Sequence, residues 1–293
     1  MLCSIVAAFA LLAHQASPFQ PVPMGMDQRG RPTIEVTVNG QGPFDFVVDT
    51  AAQLHVVMPR LVERLSLDAD TAGVQVQGAS GRSAARMHTL ESIASGAFCQ
   101  ESVMAVALPN ASVIEAWGIV GMRGFSGQRV LFDNEASTFA VTPSGALAGD
   151  MVALPATLFS TFAIITVTID GHPVKAVIDS GARRSVANDK ALEVLGWADG
   201  DPRLSAGEPI GGATSDETPA RVGRVGNLTL GPIVFEDATV TFSELSVFGA
   251  LGLADEPAII LGIDVLGRLP AYAIDYPRAE FQFRRLPADG NAP

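Results

Sequence analysis

The chain contains an internal repeat, and this repeat restricts its possible folds more than any other feature. Four blocks occur twice, in the same order, along the 293 residues. The paired blocks are residues 35–57 with 165–187, 78–84 with 211–217, 119–125 with 260–266, and 130–141 with 272–283. Repetition of matched blocks in order indicates a duplicated structural unit. The sequence therefore predicts two similar lobes, with a joint near residues 146–158.

Most of each copy reads as short strands. Runs such as TIEVTV (33–38), IITVTID (164–170) and EFQF (280–283) are rich in β-branched and aromatic residues, and Gly, Pro, Asn-Gly and Asp-Gly turns separate them. Helical periodicity is confined to short pieces at 59–67 and 188–196. The chain is therefore predicted to be all-β, with short helices.

The composition supports a core and excludes some partners. The chain is 48% hydrophobic and 17% charged, which is typical of a globular protein with a substantial core. Its net charge is −12, and no stretch gathers enough Lys and Arg to neutralise a row of phosphates. Nucleic acid and anionic lipid are therefore not expected as partners.

The N-terminal segment has the pattern of a secretory signal peptide. An apolar run extends from Leu2 to Ala13, and small and polar residues follow up to Pro18. The run is too short to span a bilayer as a helix. We predict that residues 1–17 are a signal peptide and that the protein is exported, to the periplasm or the medium. The alternative is a core helix.

Two aspartates occupy equivalent positions in the repeat, each directly after an apolar strand. The stretches are VVDTA (47–51) and VIDSG (177–181), which place Asp49 and Asp179 in register. An isolated carboxylate is costly to bury, so an aspartate at such a point either faces solvent or has a specific role. One such triplet alone is usually a turn, whereas a matched pair favours a shared site.

These residues carry a resemblance to a known family. The pattern D-[TS]-[GA]-A, followed after a flap-like hairpin by two apolar residues and Gly, resembles the pepsin–retropepsin-like aspartic peptidases. It most resembles the bacterial retropepsin-like proteins in which two lobes are fused. The resemblance covers about residues 30–285 and implies an N-terminal lobe at 18–145, a C-terminal lobe at 159–293, and a monomer with an internal pseudo-dimer.

The resemblance also implies an activity and a set of site residues. Asp49 and Asp179 would share one proton and activate a water that hydrolyses a peptide bond in a protein or peptide substrate, with no cofactor and no metal. Thr50 and Ser180 would bind across the lobe interface. The remaining implied residues are Ala51 and Gly181 in the catalytic loops and the flap tips, Gly78-Ala79-Ser80 and Gly212-Ala213-Thr214.

Ala51 departs from the family pattern, which has glycine there. Alanine is compatible with a negative φ, whereas a positive φ would bring its Cβ into a clash. The alternative function is therefore a catalytically inactive peptide- or protein-binding module on the same fold. A self-processing protein, which cleaves only its own chain, is a third possibility.

Other motifs give no competing chemistry. His14, His55, His88 and His172 show no ligand spacing for zinc, and GASG (78–81) does not fit the G-x-S-x-G pattern of serine hydrolases. Arg123 and Asp264 occupy equivalent positions with opposite charge. A salt bridge or a solvated loop is expected there.

Overall fold

The computed structural model describes residues 19–108, 115–147, 149–198, 200–212 and 217–286. The predicted signal peptide, 1–17, lies outside the described residues, as do Ala213 and Thr214 of the second predicted flap. Strands make up 51% of the structure, and the helices are short. The predicted all-β class with two repeated lobes is confirmed.

The first repeat contains eleven strands among its described residues. They are β1 (Val22–Pro23), β2 (Gly25–Met26), β3 (Pro32–Val38), β4 (Gln41–Val48), β5 (His55–Val57), β6 (Ala69–Gln77), β7 (Arg82–Ser95), β8 (Phe98–Ala107), β9 (Gly118–Val120), β10 (Gln128–Asp133) and β11 (Thr138–Pro143).

The strands of the second repeat follow in the described part of the chain after residue 150. They are β12 (Met151–Pro155), β13 (Thr157–Phe159), β14 (Phe162–Ile169), β15 (His172–Ile178), β16 (Val186–Ala187), β17 (Leu204–Ala206), β18 (Ile210–Gly211), β19 (Glu217–Thr218), β20 (Arg221–Arg224), β21 (Asn227–Leu230), β22 (Ile233–Glu236), β23 (Thr239–Phe242), β24 (Ala258–Leu261), β25 (Ala271–Asp275) and β26 (Glu280–Arg284).

Short helices occupy equivalent places in the two copies. Helix α1 (Pro59–Leu65) follows β5, and α2 (Asp189–Val194) follows β16. Proline occupies the first turn of α1, where its missing N–H has no helical partner to lose. The side chain of Asn188 caps α2 by accepting a hydrogen bond from the Ala191 N–H at 3.1 Å. In the second copy, α3 (Ser246–Ala250) and α4 (Ile263–Leu266) flank β24.

The two copies share one sheet topology around the aspartates. In the first, β4 pairs in parallel with β9, which pairs antiparallel with β5, and β5 pairs in parallel with β8. In the second, β15, β24, β16 and β23 repeat the same parallel, antiparallel, parallel order. Each lobe therefore has two pairs of parallel strands side by side in its sheet. Each aspartate directly follows a strand that ends beside its parallel partner.

A third sheet joins the lobes. Its six strands run β1-β11-β10-β25-β26-β12, so that each lobe contributes three. At the centre, Leu131 of β10 faces Ala273 of β25, and these positions are equivalent in the repeat. A pseudo-twofold axis therefore passes through this pair. Across it, the buried rings of Phe132 and Tyr272 stack with centroids 4.6 Å apart.

Part of the predicted joint is regular structure. Strand β12 lies within residues 146–158 and pairs with β26, as β1 pairs with β11 in the first lobe. The chain thus enters the second lobe through an edge strand of the shared sheet. Among the described residues, no helix is long and apolar enough to cross a membrane.

Candidate active site

Each aspartate follows a strand that ends beside a parallel neighbour. The backbone N–H of Asp49 donates to the carbonyl of Val120, the last residue of β9, at 3.1 Å. The N–H of Asp179 donates to Leu261, the last residue of β24, at 3.1 Å. Equivalent hydrogen bonds therefore anchor the two loops, each to the end of a buried strand.

The glycines that follow these strands are required by close approach. A Cβ on Gly121 would lie 2.2 Å from the carbonyl oxygen of Leu54, and a Cβ on Gly262 would lie 2.8 Å from that of Ala182. Only a residue without a side chain lets the two segments pass at this distance. The apolar-apolar-Gly pattern of the sequence is thus explained by packing behind the aspartate loops.

Thr50 and Ser180 lock the two loops together by a reciprocal exchange. The Ser180 N–H donates to Thr50 Oγ1 at 2.9 Å, and the Thr50 N–H donates to Ser180 Oγ at 3.0 Å. Each hydroxyl then donates into the opposite lobe: Thr50 to the Ile178 carbonyl at 2.9 Å, and Ser180 to the Val48 carbonyl at 2.7 Å. Both residues are fully buried. The structure thus brings Thr50 and Ser180 together across the lobe interface.

Backbone N–H groups fix the orientation of each carboxyl group. Asp49 Oδ1 accepts from the Ala51 N–H at 2.8 Å. Asp179 Oδ1 accepts from the N–H groups of Gly181 and Ala182 at 2.8 and 2.9 Å. The Asp49 carboxyl group packs against Gly181 of the opposite loop, where a Cβ would lie 2.3 Å from Asp49 Cγ. The site is therefore a pair of carboxyl groups, one from each lobe, that lie close enough to shift each other's pKa.

The pair is electrostatically uneven. Burial and then the adjacent charge of Asp49 raise the pKa of Asp179 well above its ordinary value. Burial also raises the pKa of Asp49, but the N–H groups of Ala51 and Ala52 and the charge of Arg31 oppose this rise. Because the two carboxyl groups interact closely, the proton that they share belongs to the pair.

Arg31 is a member of this site that the sequence analysis missed. The β3–β4 register pairs Thr33 with Val47, so its continuation sets Arg31 opposite Asp49. The Arg31 guanidinium is buried and donates to the Asp27 carboxylate at 2.8 and 2.5 Å. Burial raises the pKa of Asp49 and Asp179, and the positive charge of Arg31 partly opposes this rise at both groups. Counting residues back across the Asn39-Gly40 turn would set Arg31 opposite Val48 instead, because an irregularity between Val36 and Val38 shifts the register by one residue.

The first predicted flap reaches the other lobe. Residues 78–81 form the turn between β6 and β7, closed by a 2.8 Å bond from the Gly78 N–H to the Gly81 carbonyl. Ser80 Oγ donates to the Ile210 carbonyl at 2.7 Å, and the Val247 N–H donates to the Ala79 carbonyl at 3.2 Å. Strand β18, which ends one residue before Gly212, pairs with β19 as the matching hairpin.

The backbone at Ala51 accommodates alanine. Neither Ala51 nor its counterpart Gly181 has a positive φ. Gly181 is constrained by space instead, since a Cβ there would lie 2.3 Å from Asp49 Cγ. Position 51 thus tolerates a methyl group in this structure, and position 181 does not.

No set of three or more His, Cys, Asp or Glu side chains within the described ranges could hold a metal ion.

The sequence profile of a family described as aspartyl protease matches residues 34–123 and again residues 165–265. The two matches cover more than half of the chain, one in each lobe. The chain belongs to this aspartyl protease family. A search of curated proteins gave no match.

The Thr50–Ser180 exchange predicts a specific loss of stability. Thr50→Val keeps the shape but removes the hydroxyl that serves the Ser180 N–H and the Ile178 carbonyl. Leaving two buried backbone groups without this partner should lower the free energy of unfolding by roughly 2–5 kcal/mol, measured by urea denaturation. The control is Thr37→Val, which removes one 3.4 Å hydrogen bond from Thr37 Oγ1 to the Ala94 carbonyl. It should lower the free energy of unfolding by about 1 kcal/mol or less. Equal losses in the two variants would contradict this account of the interface.

The difference between positions 51 and 181 predicts that substitutions at the two positions have unequal effects on hydrolysis. Gly181→Ala should displace the Asp49 carboxylate and reduce peptide hydrolysis by about 100-fold, since a shift near 1 Å can cost that much. Ala51→Gly removes a methyl group and should stay within about threefold of the wild type. The measurement is kcat/KM on one cleaved peptide. Full activity in Gly181→Ala would show that its close packing on Asp49 is unimportant.

Proposed function

We propose that the protein is an aspartic endopeptidase in which Asp49 and Asp179 form the catalytic pair. One observation carries this proposal. The carboxyl groups of two equivalent loops lie side by side, one from each lobe, and buried reciprocal hydrogen bonds hold the loops in place. A binding module has no need for two like charges in contact, because such a pair raises the cost of burial. Membership of an aspartyl protease family supports the same conclusion.

The uneven pair supplies both protonation states that hydrolysis requires. Asp49, as the carboxylate, takes a proton from a water held between the two groups. Asp179, as the acid, gives its proton to the carbonyl oxygen of the peptide bond as the water attacks the carbonyl carbon. The tetrahedral intermediate then collapses: Asp49 gives its proton to the leaving nitrogen and the C–N bond breaks. One hydroxyl of the intermediate returns its proton to Asp179 as the carbonyl re-forms, which restores the starting state of the pair. No covalent bond to the protein forms at any step.

The flap contacts support an extended substrate. The Ala79–Ser80 tip is hydrogen-bonded to Ile210 and Val247 of the opposite lobe. A segment lying beneath it would be bound by main-chain hydrogen bonds, in the manner of an added strand. The tip must separate from these contacts to admit a protein chain and close again for reaction.

Two further features are part of this proposal. The protein acts outside the cytoplasm, which the apolar run Leu2–Ala13 of the sequence supports. It acts as a monomer, because both halves of the catalytic pair come from one chain and the pseudo-twofold axis lies within it.

The test is cleavage of a diverse peptide mixture, scanned from acid to neutral pH and read by mass spectrometry. Asp179→Asn should abolish cleavage at every pH. The control, Asp45→Asn, changes an exposed carboxylate on β4, the strand that leads to Asp49, and should leave cleavage unchanged.

The pH profile should be bell-shaped. Activity rises as Asp49 loses its proton and falls as Asp179 loses its own. Because burial raises the pKa of both groups, the optimum should lie above the ordinary aspartate value of 3.8. Equal cleavage by the wild type and Asp179→Asn would exclude this pair. Peptide binding without cleavage by the folded wild type would favour the inactive binding module.

A further inference from the structure

The two lobes support their aspartate loops with different side chains at one equivalent position. Six residues after Asp49 the first lobe has His55, and six residues after Asp179 the second lobe has Ser185. The Gly121 N–H donates to His55 Nδ1 at 3.2 Å. The Gly262 N–H donates to Ser185 Oγ at 3.1 Å. The same backbone group is thus held by an imidazole in one lobe and by a hydroxyl in the other.

This hydrogen bond fixes the protonation state of His55. A backbone N–H can only donate, so Nδ1 must present its lone pair. Nε2 then carries the single proton of the neutral ring, and it lies 3.0 Å from Gln100 Oε1, which accepts it. His55 is 3% exposed, and the edge of the Phe125 ring packs against it. The ring is therefore a buried neutral imidazole with both nitrogens bonded.

The bond lies directly behind the catalytic loop. Gly121 follows Val120, whose carbonyl accepts the N–H of Asp49. Gly121 also packs against the carbonyl of Leu54, the residue before His55. Loss of the bond at Gly121 therefore loosens the segment that positions Asp49.

Protonation of His55 turns this attraction into repulsion. A proton on Nδ1 would point at the Gly121 N–H, and two donors would face each other in a buried space. Burial lowers the pKa of His55 below its ordinary value of 6.5, with a partial offset from Gln100. Ser185 behaves differently, because its oxygen accepts from Gly262 while its hydroxyl donates to Asp264 at 2.7 Å. Ser185 Oγ therefore accepts the Gly262 N–H without any change in the protonation of Ser185 itself.

The charged groups around His55 are few. Strands β8 and β9 flank β5, and β8 carries Glu101 next to Gln100. Asp49 lies on the preceding loop, and the exposed Arg123 begins the 3-10 turn that ends at Phe125. The hydrogen bonds of the ring go to Gln100 and Gly121, which are both uncharged.

We propose that His55 is a pH-sensitive positioning residue for Asp49, such that protonation of its Nδ1 releases Gly121 and loosens the first catalytic loop while the second keeps its hydroxyl support. The expected effect on hydrolysis rests on the proposed function, whereas the hydrogen bond between Gly121 and His55 does not. As a result, the enzyme should lose activity at low pH through protonation of a group outside the aspartate pair.

The first test observes the imidazole nitrogens of the full chain by ¹H–¹⁵N NMR, with the His55 signals assigned through His55→Asn. At neutral pH, Nδ1 of His55 should be unprotonated. His88 is the internal control: it is equally buried, but its Nδ1 faces the Asp68 carbonyl at 3.0 Å and should carry the proton. His55 should titrate below pH 6.5, together with a shift of the Gly121 amide. A protonated Nδ1 at neutral pH, or titration above pH 6.5, would overturn the proposal.

The second test compares two substitutions at position 55. The side-chain oxygen of Asn can accept from Gly121 in place of Nδ1 but does not titrate, whereas Leu removes the acceptor. Because the pKa of His55 is lowered on folding, its contribution to stability is complete above pH 6.5 and is lost as the pH falls. The melting temperature of the wild type should therefore fall more steeply than that of His55→Asn between pH 7 and pH 5.

Hydrolysis should follow the same order. At neutral pH, His55→Leu should lower kcat about tenfold, with KM within about twofold, and this difference should shrink as the pH falls and the wild type loses the same hydrogen bond. His55→Asn should recover most of this loss and retain activity to lower pH than the wild type. Identical acid limits and identical melting profiles in the wild type and His55→Asn would overturn the proposal. If no variant hydrolyses peptides, only the proposed function fails, because the NMR and melting results still decide the role of His55.

Discussion

The structure depends on the reciprocal hydrogen bonds between Thr50 and Ser180. Each side chain accepts the other's backbone N–H and donates to a carbonyl of the opposite lobe, with both residues fully buried. Unmade bonds of this kind are costly, so neither loop can move without the other. Two carboxyl groups that repel each other when ionised are held in contact by this arrangement. The shared sheet, with β10 paired to β25, sets the lobes at the distance that makes it possible.

A symmetric backbone thus carries an asymmetric site. Ala51 stands opposite Gly181, His55 opposite Ser185, and Arg31 sits on the first lobe beside the pair. Burial raises the pKa of both aspartates. The duplication supplies two equivalent frames, and these substitutions give the two carboxyl groups different surroundings.

The sequence predicted the two lobes, the strand-rich class and the pairing of Asp49 with Asp179, because a repeat aligns positions directly. It did not predict contacts that depend on register. Arg31 lies opposite Asp49 only once the β3–β4 pairing is known. Arg123 and Asp264 were expected to form a salt bridge or a solvated loop, but Asp264 instead accepts two hydrogen bonds from Ser185. The sign of φ at Ala51 also depends on the folded loop. The sequence indicates only that His55 lacks the spacing of a zinc ligand, and its role as an acceptor depends on the position of Gly121 in the folded chain.

The central claim is that two carboxyl groups act as one catalytic unit. The most direct measurement compares kcat/KM on one cleaved peptide for Asp49→Asn, Asp179→Asn and the double variant, with folding verified for each. Groups that act as a unit are not additive, so each single variant should lose about as much activity as the double variant. Substantial hydrolysis by either single variant would contradict the account, because one carboxyl group would then suffice.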